Sequence, residues 1–420
     1  MKILVRQARI ADPNSTFNGQ VTDILIDGLH ISKIAAHIAE PADEIIQAAG
    51  LTVSPGWVDI FSHFCDPGFE YRETLETGAA AAAAGGFTRV FVLPNTKPVV
   101  DSKTQVEYIS QQSKSLPVTI HPLGAVTKNN EGKDLAEMYD MRNSGAIAFS
   151  DGLNPVQSPG LFLKALQYVK AFDGVVIQVP LDKSIGAGGL INEGVISTRL
   201  GLPGIPALAE EIIIKRDIDL LRYTQSKLHI TGVSTQNSLM FIQAAKEEGL
   251  AISCSVTPYH LFFCDEDLQT YDTNLKVNPP LRGKHDMLAL RDAVLNGTID
   301  CIASHHLPQD WDNKTCEFEY AKNGMTGLET SFAVVNHLLP ELTPDRLIKL
   351  FSLNARNIFN LPVINISEGA EAELTLFTKE GITNLTKRQL KTKSSNTPFL
   401  ERELAGKVLG IINKGNPIIN

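Results

Sequence analysis

Two stretches of this chain carry imidazole and thiol groups at the spacing of a β-strand. The first reads Pro55-Gly-Trp-Val-Asp-Ile-Phe-Ser-His-Phe-Cys-Asp-Pro-Gly68. Alternate side chains of a strand share a face, which places Asp59, Phe61, His63 and Cys65 together at its end. The second, Cys301-Ile-Ala-Ser-His-His-Leu-Pro308, puts Cys301 and His305 on one face. If the two strands are neighbours, His63, Cys65, Cys301 and His305 make a tetrahedral set suited to zinc. The competing reading is packing, since free cysteine is commonly a small buried apolar side chain. His305 and His306 are adjacent, point to opposite faces and cannot easily chelate one ion. His260, after Thr257-Pro-Tyr, reads as structural.

These residues need a scaffold, and the hydrophobic runs supply one. Residues 1–54 alternate β-branched and apolar positions with turns, as in Val21-Thr-Asp-Ile-Leu-Ile-Asp-Gly28. The texture then changes to strands expected at 57–64, 88–93, 118–123, 146–150, 175–179, 227–231, 251–256 and 301–305, each followed by a helical segment. The clearest helices are 206–226, with Leu208, Ile212 and Ile213 on one face, and 235–248, which Gly249 ends. The Ala-rich run 79–84 reads as a helix packed closely on its neighbours. Eight βα units in succession predict a closed parallel (β/α)8 barrel, a TIM-like α/β fold, with chemistry at the C-terminal ends of the strands. Strand patterning returns at 372–377 and 407–413. We therefore expect residues 1–54 and 361–420 to pair into one small β-sandwich beside a barrel formed by 55–360.

Composition narrows the function classes. Hydrophobic residues make up 43%, charged residues 20% and aromatic residues 7% of 420, the profile of a globular protein rather than a disordered or fibrous one. The run 78–86 is far shorter than the roughly 18 to 20 apolar residues of a spanning helix, so no membrane partner is expected. Met1-Lys-Ile-Leu-Val-Arg6 reads at once as a strand and lacks signal-peptide features, which points to the cytoplasm. Five cysteines, an odd number with no Cys-x-x-Cys pair, indicate reduced thiols. A net charge of −9 opposes a nucleic-acid partner. A small metabolite or another protein is the expected partner.

The segment 55–68 resembles the first-strand signature of dihydroorotases and related cyclic amidohydrolases, Asp-x-His-x-His-x-Arg-x-Pro-Gly. Here Phe61 stands for the first His and Cys65 for the Arg. Gly85-Gly-Phe-Thr-Arg-Val90, Leu93-Pro-Asn-Thr-Lys-Pro98, Gly201-Leu-Pro-Gly-Ile-Pro206, Lys276-Val-Asn-Pro-Pro-Leu-Arg282, Gly327-Leu-Glu-Thr330 and Asn396-Thr-Pro-Phe-Leu400 also resemble that family's motifs, in family order. On these the chain is identified as a member. The resemblance implies reversible hydrolysis of dihydroorotate to N-carbamoylaspartate in pyrimidine synthesis, by zinc-bound hydroxide with an Asp as proton shuttle.

It also locates departures. In the fifth strand Val176-Ile-Gln-Val-Pro180 aligns with a His-x-Glu-Asp motif, so Gln178 stands for a ligand. In the sixth, Gly232 stands for a ligand His, and in the eighth His305 stands for the catalytic Asp. Of the metal and proton-transfer positions only His63 and an acidic residue at Asp151 keep their type. Asn95 and Asn278 match asparagines that bind the substrate, while Cys65 replaces the Arg that would pair with its carboxylate. A zinc site is worth about 10 to 16 kcal/mol in all, so losing three ligands should abolish useful affinity. We expect no cofactor, or zinc if the Cys and His set forms. An aromatic ring at position 61 fills the space a metal needs.

Three readings follow. The favoured one is a noncatalytic homologue, a pseudoenzyme retained for assembly, because some relatives support aspartate transcarbamoylase. The second is an active dihydroorotase or related cyclic amidase with rearranged ligands. The third is a metabolite-binding regulator that uses Asn95 and Asn278. A homo-oligomer is left open.

Overall fold

The computed structural model describes residues 1–420. Five strands open the chain: β1 (Lys2–Ile10), β2 (Val21–Asp27), β3 (His30–Ala35), β4 (Glu44–Ile46) and β5 (Thr52–Pro55). β1 and β2 pair antiparallel from Lys2 opposite Asp27, and β2 turns into β3 through Gly28, whose φ of +61° suits a residue without Cβ.

The barrel strands come next. β6 (Trp57–Ser62), β7 (Phe87–Val92) and β8 (Thr119–Pro122) form one parallel run. β9 (Val176–Gln178) precedes a short side pair, β10 (Ile191–Asn192) and β11 (Gly204–Ile205). β12 (Leu228–Thr231), β13 (Ile252–Val256) and β14 (Cys301–Ile302) complete a second parallel run with β9. Single bridges join the runs: Gly124 to Phe149, Phe149 to Val176, and Ser62 to His306. The ring is closed. The strand expected at 146–150 is reduced to the bridges of Phe149, and the eighth ends at Ile302, three residues before the expected end.

The chain ends with β15 (Leu374–Thr383), β16 (Leu404–Asn413) and β17 (Asn416–Ile419). β15 pairs antiparallel with β5, which lies parallel to β1, so both ends join one eight-stranded sheet. Side chains from both ends, among them Ile3, Val5, Ile24, Val53, Leu374 and Ile412, share a core of sixteen residues. The small β-sandwich expected from both chain ends takes the form of this one sheet.

Fifteen buried residues fill the barrel interior, including Val58, Ile60, Phe91, Leu123, Ile177, Val179 and Cys301. A larger core of fifty-nine lies mainly between strands and helices. The helix Leu75–Ala84 starts at the Thr74 cap and approaches closely: a Cβ on Gly78 would lie 2.6 Å from the Phe64 ring. The helix Leu208–Thr224 corrects the expected stripe. Ile213, Ile214, Ile218 and Leu221 are buried, whereas Leu208 and Ile212 are exposed. The buried face also carries Glu210 and Asp217, whose partners on other elements make polar residues acceptable inside. No helix is long and apolar enough to cross a membrane.

Candidate functional site

The mouth of the barrel is built from the ends of β6, β12 and β14 and the loops after them. Alternation along β6 holds for Trp57 to Ile60, with Trp57 in the outer core and Val58 and Ile60 in the inner one. A register irregularity between Asp59 and Ser62 then turns Phe61 inward beside Ile60. The expected face of Asp59, Phe61, His63 and Cys65 therefore does not exist. Asp59 instead accepts from the Ser304 amide at 2.7 Å and the Ser304 hydroxyl at 2.9 Å, tying the first strand to the eighth.

Phe61 stacks on His305, with ring centroids 4.4 Å apart and planes 32° from parallel. His305 has φ +44°, and its Nε2 lies 2.7 Å from Thr231 Oγ1. Ser255 donates to the same Thr231 oxygen at 2.8 Å. Ser255 in turn meets His229 Nε2 at 3.0 Å, and His229 Nδ1 meets Ser253 at 2.8 Å. This chain of buried groups ties His305 Nε2 through Thr231 and Ser255 to His229. Burial brings the His305 imidazole down to about 3. It is neutral at pH 7, with Nε2 engaged by Thr231.

Gly232 sits against the same ring. A Cβ there would lie 2.7 Å from His305 Cε1, and its φ is +73°. His305 therefore occupies space that a side chain at 232 would need.

His63 is engaged on both nitrogens. Nε2 donates to the Asn95 carbonyl at 3.0 Å, and Nδ1 accepts from the Cys65 amide at 2.8 Å. Burial lowers it to about 4. Asn95 Nδ2 donates to the Asp151 carbonyl at 3.1 Å and its Oδ1 accepts from the Leu153 amide at 3.1 Å. The Asp151 carboxylate accepts from the Thr127 amide at 2.9 Å and the Thr127 hydroxyl at 2.5 Å, while burial raises it to about 6. His63, Asn95 and Asp151 thus form one structural cluster in which every side chain has its partners.

Gln178 corrects another expectation. Its neighbours Ile177 and Val179 face the barrel interior, while Gln178 points to the helix layer, where Nε2 lies 3.3 Å from Asp217. The set His63, Cys65, Cys301 and His305 is likewise not assembled, because Cys301 belongs to the barrel interior and Cys65 lies on a bend with φ +62°. No group of three or more His, Cys, Asp or Glu side chains is arranged to hold a metal ion. The residues present do not fit a zinc centre.

What remains at the mouth is a cavity of about 20 Å³, lined by Phe61, Tyr259, Asn278, His305, His306 and apolar neighbours. It has room for about one water. Asn278 Oδ1 is buried without a partner, so of the two asparagines only Asn278 faces a space. His260 is structural, held by Thr257 Oγ1 at 2.8 Å and the Pro279 carbonyl at 3.1 Å.

A model of the dihydro-orotase-like family matches residues 50–238. The dihydroorotase of Syntrophus aciditrophicus (strain SB) is 38% identical over 420 residues, covering 99% of this chain and 98% of the relative. The chain belongs to the dihydroorotase family. The dihydroorotase of Pelotomaculum thermopropionicum is 39% identical over 409 residues, covering 97% and 96%. Among solved structures, the L-hydantoinase of Arthrobacter aurescens superposes with a TM-score of 0.87 at 22% identity, over 100% of this chain and 96% of that one, which shows the shared barrel fold.

Within this dihydroorotase-family chain the structure adds a buried polar centre that motif reading missed. Glu73 is fully buried and accepts from the Thr77 and Thr392 hydroxyls and from the Lys393 amide at 3.1 Å, and it lies 3.3 Å from His306 Nε2. It joins the start of the first helix, the loop after β14 and the segment leading to β16. Its only sequence signal is an acidic residue just before the Thr74 cap, a position usually exposed.

Proposed function

We propose that this chain is a noncatalytic member of the dihydroorotase family that serves pyrimidine biosynthesis by assembling with aspartate transcarbamoylase. The observation that carries this reading is the state of the barrel mouth. Phe61 and His305 stack where a substrate would enter, and the space left is about 20 Å³ against the roughly 300 to 1,000 Å³ of ligand pockets. Each residue aligned with a ligand or acid-base position is committed elsewhere. His63 holds a turn, Gln178 supports a helix, and His305 caps a hydrogen-bonded chain. In the family, metal-bound water supplies the nucleophile by a drop in water pKa from 15.7 to about 7. General base catalysis, worth only about 10² to 10⁴-fold, does not replace it.

The folded body, by contrast, is kept complete, with closed barrel, two-ended sheet and firmly bonded loops. Assembly needs that body and not the mouth.

A second reading is favoured by one observation: relatives at 38% to 39% identity over nearly the whole length are named dihydroorotase. Under it the mouth would open and rearrange to admit metal and substrate. The deciding experiment measures metal content by plasma emission beside dihydroorotate hydrolysis with zinc added. The proposal expects no stoichiometric metal and no hydrolysis above background. Near one zinc per chain, lost in His63→Ala, or a turnover approaching 1 s⁻¹, would establish the active reading instead. Co-expression with the transcarbamoylase is expected to give a complex stable to gel filtration. Elution of the chain alone at micromolar concentration counts against assembly.

A further inference from the structure

From Ile302 to Leu328 the chain crosses the mouth end of the barrel with no strand or helix. Loops of that length inside a compact fold are uncommon and usually functional. This one is held firmly. Lys314 Nζ donates to the Thr273 carbonyl at 2.8 Å, and Thr273 Oγ1 donates back to the Lys314 carbonyl at 2.6 Å. Lys276 Nζ donates to the Phe318 and Glu319 carbonyls at 2.7 and 2.9 Å. The Gln309 amide donates to Asn396 Oδ1 at 3.0 Å.

Two consequences follow for the surface. First, the aromatic side chains are turned outward on this rigid base: Trp311 and Tyr320 are each 69% exposed and Tyr271, edge-on to Phe318, is 45% exposed. Taking ~200 Å² per ring, they offer roughly 350 Å², close to half of the ~800 Å² one partner contributes to a standard interface. Second, the two lysines are buried beneath the face, so its outer charge is acidic. Asp310, Asp312, Glu317 and Glu319 flank the aromatics, with Asp272 across the seam, and Lys322 is the exposed cation of the loop. Burial also brings the Lys314 ammonium down to about 7.

Resting on the assembly reading, we infer that Trp311, Tyr320 and Tyr271 with their flanking carboxylates form the docking face for a protein partner that presents arginine or lysine side chains. Exposed aromatics on a fixed base are the residues that carry interface energy, and they accept cations on their ring faces. The charge decides between occupants. A nucleic acid would be repelled, and a second copy would bring the same carboxylates against themselves. A basic protein surface is attracted, and its approach is steered by the field.

The test has two arms. Trp57 is wholly buried and Trp311 is the second of two tryptophans, so a change in emission on titration reads Trp311. A decaarginine peptide is expected to change that emission saturably, with affinity at least about tenfold weaker in ~0.5 M NaCl. No change, or one that survives unchanged when Asp310→Asn, Asp312→Asn, Glu317→Gln and Glu319→Gln are combined, overturns the inference. In the second arm the chain is titrated with the transcarbamoylase. Trp311→Ala with Tyr320→Ala is expected to weaken the complex at least about tenfold, with far-ultraviolet dichroism unaltered and exposed Tyr223→Ala without effect. A complex that the double substitution leaves unchanged overturns the docking face and leaves assembly standing. A salt-sensitive peptide response with no transcarbamoylase complex removes that partner and supports the face.

Discussion

At the scale of single residues the mouth is a matter of mutual fit. His305 can lie where it does because residue 232 has no side chain, and it stays there because Phe61 covers its face and Thr231 binds its Nε2. Gly232→Ala must therefore push a Cβ to within 2.7 Å of the ring at a φ that L residues resist. We expect a loss of about 1 to 3 kcal/mol in urea unfolding, part of it recovered when His305→Ala is added. Phe61→Ala removes a fully buried ring and should cost about 3 to 5 kcal/mol by the same measurement. Stability unchanged by Phe61→Ala would mean that the ring is not the packing element described. These contacts were only partly legible in the sequence. The residue types at 61, 232 and 305 were readable, but the face each presents depended on regular alternation, which the irregularity after Asp59 breaks. Gln178 illustrates the same limit: its place in the strand was readable, while its outward direction depends on the register of β9 with β12.

At the scale of elements, hydrophobic runs located the eight βα units because each strand is enclosed on both faces and each helix on one. The fourth strand shrank to one bridged residue, since run length alone does not reveal how many ladder bonds form. Buried polar positions were illegible for a related reason: Glu73, Glu210 and Asp217 look like surface residues until their partners from distant segments are known. The buried imidazoles carry a prediction at this scale. Burial lowers His63 and His260 to about 4 and His121, His229 and His305 to about 3. Unfolded, each titrates near 6.5, so below that pH the unfolded chain takes up protons that the folded chain refuses. Their contribution is full above about pH 6.5 and is lost as pH falls toward 4, at about 1.4 kcal/mol per unit for each group. Burial raises Asp151 and Asp217 to about 6 and also raises Asp12, Asp59, Asp66 and Glu329, which works in the opposite direction at pH values above about 4. Each imidazole starts from an unfolded value near 6.5 and so loses its contribution across most of the interval from pH 7 to 5. The urea midpoint should therefore be lower at pH 5 than at pH 7, and a midpoint equal at both would refute the balance.

At the scale of the whole molecule, the question is whether barrel and two-ended sheet unfold as one. Two features join them. Trp57, at the start of the first barrel strand, packs its ring on Phe87, Phe332 and Phe351 and on Phe377 of β15, at centroid distances of 5.0 to 6.2 Å. Beside it, Glu373, just before β15, accepts from Arg356 Nη2 at 2.5 Å and Arg89 Nη2 at 2.8 Å. Although burial opposes its charge, the two guanidinium groups hold that carboxyl down at about 2. An ion triad this deep is strongly coupled: removing one cation leaves charge that water cannot reach. Arg356→Met should cost about 3 to 5 kcal/mol, and replacing all three with apolar residues should recover much of that loss. Because the coupling runs through Trp57, the unfolding of sheet and barrel should coincide. In a Trp311→Phe background, emission reports Trp57 alone, while far-ultraviolet dichroism reports the helices of the barrel. The two urea transitions are expected to superpose. If emission changes well before the helices melt, the sheet opens as a separate unit, and the junction built on Trp57 and Glu373 does not bind the two parts into one cooperative body.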